Sequence, residues 1–213
     1  ANIGDLDGDG VNDLAVGAYG DDAGGTGRGA VHIMFMNTDG SVDSTVEIND
    51  TTTNGPTLAN NDSFGESVAN IGDLDGDGVN DLAVGAFSDD GGGAGRGAVH
   101  IMFMNTDGSV DSTVEINDTT TNGPTLADND GFGYSVANIG DLDGDGVNDL
   151  AVGAHGDDAG GAGRGAVHIM FTKDAIKPTV TMTSSSGDSG DSTSSTTLSY
   201  TVTFSESTSN FVV

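Results

Sequence analysis

The stretch GDLDGDGVND occupies residues 4–13 and returns unchanged at 72–81 and 140–149. In the first copy Asp5, Asp7, Asp9 and Asp13 crowd together, with Gly8 and Gly10 between them and Val11 ahead of the last. Glycine takes positive φ at little cost, so the chain can fold tightly round a centre at those two points. The side chains of Asp5, Asp7 and Asp9 then converge, and the Val11 carbonyl and Asp13 close the shell. Oxygen-only ligands, several of them carboxylates, suit a hard cation such as Ca²⁺. Two carboxylates about 4 Å apart repel by about 1 kcal/mol even in bulk water. A loop holding four of them is therefore destabilised unless a cation sits inside. The alternative is an acidic surface turn that tolerates its own charge, and threefold recurrence between strand-like runs weighs against it.

Working outward, the loop belongs to a longer repeat. Copies begin at Ala1, Ala69 and Ala137, a period of 68 residues, and Gly27–Ala59 recurs unchanged as Gly95–Ala127. The first two copies differ at Tyr19/Phe87, Gly20/Ser88, Ala23/Gly91, Thr26/Ala94, Asn60/Asp128, Ser63/Gly131 and Glu66/Tyr134, in two short zones beside the loop's flanking strands. One period contains four strand candidates. These are SFGESVANI (Ser63–Ile71), DLAVGAF (Asp81–Phe87), GAVHIMFM (Gly97–Met104) and STVEIND (Ser112–Asp118). In the third of them Val99, Ile101 and Phe103 alternate with His100 and Met102, the period of two that marks a strand. NTDG (Asn105–Gly108) between apolar runs signals a hairpin. TTTNGPTLANND (Thr51–Asp62) reads as an extended outer loop.

No stretch carries a helical period, so the expected fold is all-β. Four short antiparallel strands at a constant interval point to β-propeller blades, and a solenoid turn would offer two or three. The expected organisation is three four-stranded repeats forming a partial ring at 1–172 (1–62, 63–130 and 131–172). A linker and a partial Ig-like β-sandwich segment follow at 173–213. The third copy departs at TKDAIKPTV and is expected to lack its fourth strand. Ala1 falls part-way through a repeat, so the chain reads as an internal segment of a longer protein.

Composition narrows the partners. Thirty-four acidic residues stand against five basic ones, a net charge of −29, which disfavours nucleic acid and anionic membrane surfaces. There is no cysteine, hence neither a disulfide framework nor a thiolate metal site. No apolar run approaches the roughly 20 residues that span a bilayer. An EF-hand is excluded because its bidentate Glu would fall on Val16 and no helices flank the loop. GGTGRG (Gly24–Gly29) lacks the aspartate of a glycine-rich calcium nonapeptide, and no helix follows it to cradle phosphate. Arg28, Arg96 and Arg164 follow the acidic pairs Asp21–Asp22, Asp89–Asp90 and Asp157–Asp158 and are expected to pair with them locally. His32, His100 and His168, singly spaced on a strand, read as packing or surface residues, and no nucleophile elbow or catalytic set is present.

FGESVANIGDLDGDGVNDLAVGAF (Phe64–Phe87) and FGYSVANIGDLDGDGVNDLAVGAH (Phe132–His155) resemble the FG-GAP repeat of the integrin α-type β-propeller, in its bacterial tandem form. GAVHIMF resembles the strand that follows in that family. The family's closing proline is replaced by Tyr19, Phe87 or His155, which bears on the strand exit and not on the loop. The resemblance implies one Ca²⁺ per repeat, three in this chain. Its ligands would be Asp5, Asp7, Asp9, Val11 and Asp13; Asp73, Asp75, Asp77, Val79 and Asp81; and Asp141, Asp143, Asp145, Val147 and Asp149, each valine through its carbonyl. It further implies a non-enzymatic segment of a secreted or cell-surface protein, binding an extracellular protein or glycan in adhesion. A carbohydrate-binding module of a large secreted enzyme is the alternative, with Tyr19, Phe87, Tyr134 and His155 as ligand-facing side chains. In the tail, TVTMT (Thr179–Thr183) and LSYTVTF (Leu198–Phe204) resemble opening strands of bacterial Ig-like domains, separated by the polar stretch Ser184–Ser195.

Overall fold

The computed structural model describes residues 1–173 together with the strands at 180–184 and 200–204. The chain divides into two units, Ala1–Asp174 and Ala175–Val213. Every regular element described is a strand.

The first sheet runs β1 (Asn2–Gly4), β2 (Asp13–Ala18), β3 (Ala30–Met36) and β4 (Val42–Ile48), and each strand pairs antiparallel with the next. The second repeats it with β5 (Phe64–Gly72), β6 (Asp81–Ala86), β7 (Ala98–Met104) and β8 (Val110–Ile116). The third has β9 (Phe132–Gly140), β10 (Asp149–Ala154) and β11 (Ala166–Met170), with no fourth strand among the described residues. These are propeller blades in series, as the period implies. Strands β2, β6 and β10 each stop at the alanine before Tyr19, Phe87 or His155, so the strand exit falls at the same place in all three sheets.

Packing follows from the period-two alternation. On β6, Leu82, Val84 and Ala86 join a core shared with Val31, Ile33 and Phe35 of the first sheet. Ala83, on the opposite face, joins Val99 and Ile101 in a second core against Phe132, Leu150 and Val152 of the third sheet. The middle sheet is thus buried on both faces, which is why the alternation of β7 does not give it a solvent side. Each fully buried aliphatic side chain contributes roughly 1.5–3 kcal/mol.

Two local expectations change. Strand β8 spans Val110–Ile116, not Ser112–Asp118, because Asn117 turns the chain: its Oδ1 accepts from the Thr119 amide at 2.8 Å, and its own amide donates to Thr120 Oγ1. The segment Thr51–Asp62 is not purely an outer loop, since Leu58 is buried in the first core and Asp62 is buried as well.

In the second unit, β12 (Val180–Ser184) and β13 (Tyr200–Phe204) pair antiparallel, Val180 opposite Phe204 and Met182 opposite Val202. Thr179, Leu198 and the rest of the expected polar linker beyond Ser184 lie outside the described residues.

Candidate metal centres

Each aspartate loop joins the first two strands of its sheet, and its own amides fold it. Gly8 and Gly10 have φ of 80° and 92°, and their amides donate to the two oxygens of Asp5 at 2.8 and 2.9 Å. Asp7 accepts from the Asp9 amide and Asp9 from the Val11 amide, at 3.1 and 2.7 Å. The second loop repeats this through Asp73, Asp75 and Asp77, and the third through Asp141, Asp143 and Asp145.

Three carboxylates gather in each loop. Asp5, Asp7 and Asp13 place oxygens within 4.8 Å of one another, as do Asp73, Asp75 and Asp81, and Asp141, Asp143 and Asp149. Asp9, Asp77 and Asp145 stand outside these groups, each turned to the valine amide two residues on. The side chain of Val79 packs against the first core, and Val147 is buried. The donor set is oxygen alone, with no cationic side chain paired to any member among the described residues. That chemistry fits a hard divalent cation.

Asp13, Asp81 and Asp149 differ from the other members in being wholly buried. The two oxygens of Asp81 accept from the amides of Leu74 (2.8 Å) and Met104 (3.1 Å), so one carboxylate ties the loop to the far end of the third strand. Burial pushes the Asp81 carboxyl up to about 6, and the charges of Asp75 and Asp77 add to the rise while the two amides oppose it. Burial also raises Asp75. The second loop is thus a place where negative charge is held at a cost.

Other polar features were less legible. Arg28 pairs not with Asp21 or Asp22 but with Asp50, and its Nε donates to Asn60 at 3.0 Å. Arg96 likewise pairs with Asp118 and with Asp128, residues of the segment leading to the next sheet. The local acids are taken by amides, Asp21 by Ala23 and Asp22 by Gly27. Asp62 and Asp89, both buried, hold their carboxyls against each other, and burial pushes Asp62 up to about 7. His100 is buried edge-on to Phe64 with neither nitrogen partnered, and burial pulls it down to about 4. Phe87, Tyr134 and His155 meet, with ring centroids 5.5 Å apart for Phe87–Tyr134 and 4.4 Å for Tyr134–His155, whereas Tyr19 stands exposed.

Fold and loops together define a protein built of propeller blades, each carrying one carboxylate cluster. The FG-GAP repeat model matches residues 2–34, 64–102 and 132–170, and the chain belongs to the FG-GAP repeat family. It is 40% identical over 96 residues to integrin alpha-PS5 of Drosophila melanogaster, covering 45% of this chain and 9% of that protein. It is 44% identical over 99 residues to integrin alpha-5 of Xenopus laevis, covering 45% and 9%. With integrin alpha-6 of Gallus gallus the identity is 36% over 157 residues, covering 72% and 13%. The chain therefore spans only 9–13% of the length of these relatives.

Proposed function

We propose that the chain is a calcium-binding, non-enzymatic propeller segment of a secreted or cell-surface bacterial protein, acting in adhesion or in binding an extracellular protein or ligand. The observation that carries the reading is the threefold convergence of carboxylates in Asp5/Asp7/Asp13 and its two repeats. One Ca²⁺ would be held per loop by those side chains, with Asp9, Asp77 and Asp145 and the carbonyls of Val11, Val79 and Val147 completing the shells. The ion would offset the repulsion inside the loop and brace the two strands it joins. At the roughly 10⁻⁴–10⁻³ M affinities of extracellular modules, the sites would fill in calcium-rich surroundings. Likeness to integrin alpha chains supports the adhesion role, and the near-identity of the copies supports the bacterial tandem type. Calorimetric titration with calcium, and melting with and without EDTA, test it. Calcium uptake and a melting temperature lowered by EDTA are expected, and unchanged melting would overturn the structural role.

The meeting of Phe87, Tyr134 and His155 favours a second reading, a carbohydrate-binding module of a larger secreted enzyme. A glycan array separates the two: saturable glycan binding lost in Tyr134→Ala supports the second.

A further inference from the structure

Asn80 stands in the second loop between Val79 and Asp81, two of that loop's proposed ligands, yet its side chain leaves the loop. Its amide donates to the Ile3 carbonyl at 3.0 Å, two residues ahead of Asp5, the first proposed ligand of the first loop. Asn148, between Val147 and Asp149, repeats the bond on the Ile71 carbonyl at 3.0 Å, two residues ahead of Asp73. The approach is close at both junctions. Gly4 and Gly72 follow the accepting carbonyls with φ of 80° and 81°. A Cβ on Gly4 would stand 2.7 Å from the Asn80 nitrogen, and one on Gly72 would stand 2.8 Å from that of Asn148. Glycine therefore serves both the turn and the contact. The second junction is held twice, since Asn138 of β9 also donates to the Asn70 carbonyl at 3.0 Å.

Both ends of the Asn80 bond are tied to proposed ligands. On the donor side, the Val79 amide donates to Asp77 at 2.7 Å, and Asp81 accepts from Leu74 and Met104. On the acceptor side, Ile3 is anchored in the first core and the Gly4 amide donates to Asn2 Oδ1 at 2.9 Å. The next residue is Asp5, which gathers the amides of Gly8 and Gly10.

We propose that the cation sites are coupled in series, Asn80 and Asn148 carrying the occupancy of one loop to the first ligand of the loop in the preceding sheet, so that calcium binds with positive cooperativity. The inference rests on the calcium reading of the loops. In an empty loop the carboxylates repel one another and hold Asn80 less firmly. In a filled one Asn80 is fixed, and it fixes the Ile3 carbonyl and sets Gly4 and Asp5 in place. Such coupling is reciprocal, so filling the first loop tightens the second by the same factor. One hydrogen bond limits its size to about two- to tenfold in affinity. Repulsion between bound ions acts in the opposite sense, and at 0.15 M salt it is screened beyond about 8 Å.

Calcium titration of the ¹⁵N-labelled full chain at that salt tests it, with the amides of Gly8 and Gly10 reporting the first loop and those of Gly76 and Gly78 the second. Asp75→Ala disables the second loop, and the Asp75 side chain bonds to the Asp77 amide and not to Asn80. It should weaken filling of the first loop by about fivefold. Asn80→Ala should still take up all three proposed ions, with the first loop again filling about fivefold more weakly. Adding Asp75→Ala to Asn80→Ala should then change the first loop by less than about twofold, the mark of a severed link in a double-mutant cycle. Asp143→Ala and Asn148→Ala should act on the second loop in the same way. Equal filling of the first loop in the wild type and Asp75→Ala would overturn the proposal, as would an undiminished effect of Asp75→Ala in the Asn80→Ala background. Loss of an ion in Asn80→Ala would place that asparagine inside its own site and overturn it too. A wild-type chain that takes up no calcium would overturn the calcium reading and the coupling together, whereas three ions bound independently would overturn the coupling alone.

Discussion

The side-chain amide of Asn80 donates to the carbonyl oxygen of Ile3 at 3.0 Å, joining the aspartate loop of the second sheet to the first strand of the first. Asn148 makes the same bond to Ile71 at 3.0 Å. The candidate metal loop is therefore also a fastener between sheets, and what orders the loop orders the junction.

Replacing Asn80 with Ala should lower stability by about 1 kcal/mol, the usual net worth of such a bond, with more lost if the Ile3 carbonyl stays dry. Asn12, in the equivalent place of the first loop, makes no such bond among the described residues, and Asn12→Ala should change stability by less than about 0.5 kcal/mol. Urea unfolding of both variants measures the difference.

The loop carboxylates divide by role. Asp75→Ala should remove one calcium of the three proposed and leave the stability of the EDTA-treated protein nearly unchanged, because the side chain holds only a loop amide. Asp81→Ala should remove that calcium too, but also cost about 1–3 kcal/mol in EDTA, since it strands the buried amide of Met104 and the half-buried amide of Leu74. Calcium stoichiometry and denaturant titration in EDTA check both.

Stability should depend on pH through Asp62 and His100 in opposite senses. Asp62 is raised from 3.8 to about 7, so its contribution is complete below about pH 4 and is lost as pH rises through 7. His100 is lowered from 6.5 to about 4, so its contribution is complete above about pH 6.5 and is lost as pH falls through 4. Asp62→Asn keeps an acceptor for the Ala59 amide and should stabilise the protein at pH 8 but not at pH 4. Melting temperatures across that range would show it, and an equal effect at both ends would refute the assignment.

Leu58 lies in a segment with no regular structure yet sits inside the first core. Leu58→Ala should cost about 2–4 kcal/mol, as for a leucine in any packed interior. Chemical denaturation provides the test, and a cost below about 0.5 kcal/mol would place the side chain on the surface.

Much of this molecule is legible in its order of residues. Strands, hairpins and aspartate loops are local: alternation marks the strands, Asp-Gly turns join them, and Gly8 and Gly10 let Asp5 collect its own loop amides. The 68-residue recurrence of these signals was enough to give blades. What the sequence could not indicate is which groups meet across distance. Arg28 passes over the adjacent Asp21 and Asp22 to pair with Asp50, because the amides of Ala23 and Gly27 already occupy them. Asp13 and Asp9 look alike in the chain, but only Asp13 is buried, because the third strand's Met36 amide lies over it. The strand AVHIM occurs three times, yet its valine is covered in the first two sheets and open in the third. Hydrogen bonds within a loop are set by neighbours in sequence, whereas burial is set by whatever sheet comes next, and that is decided only in the folded chain.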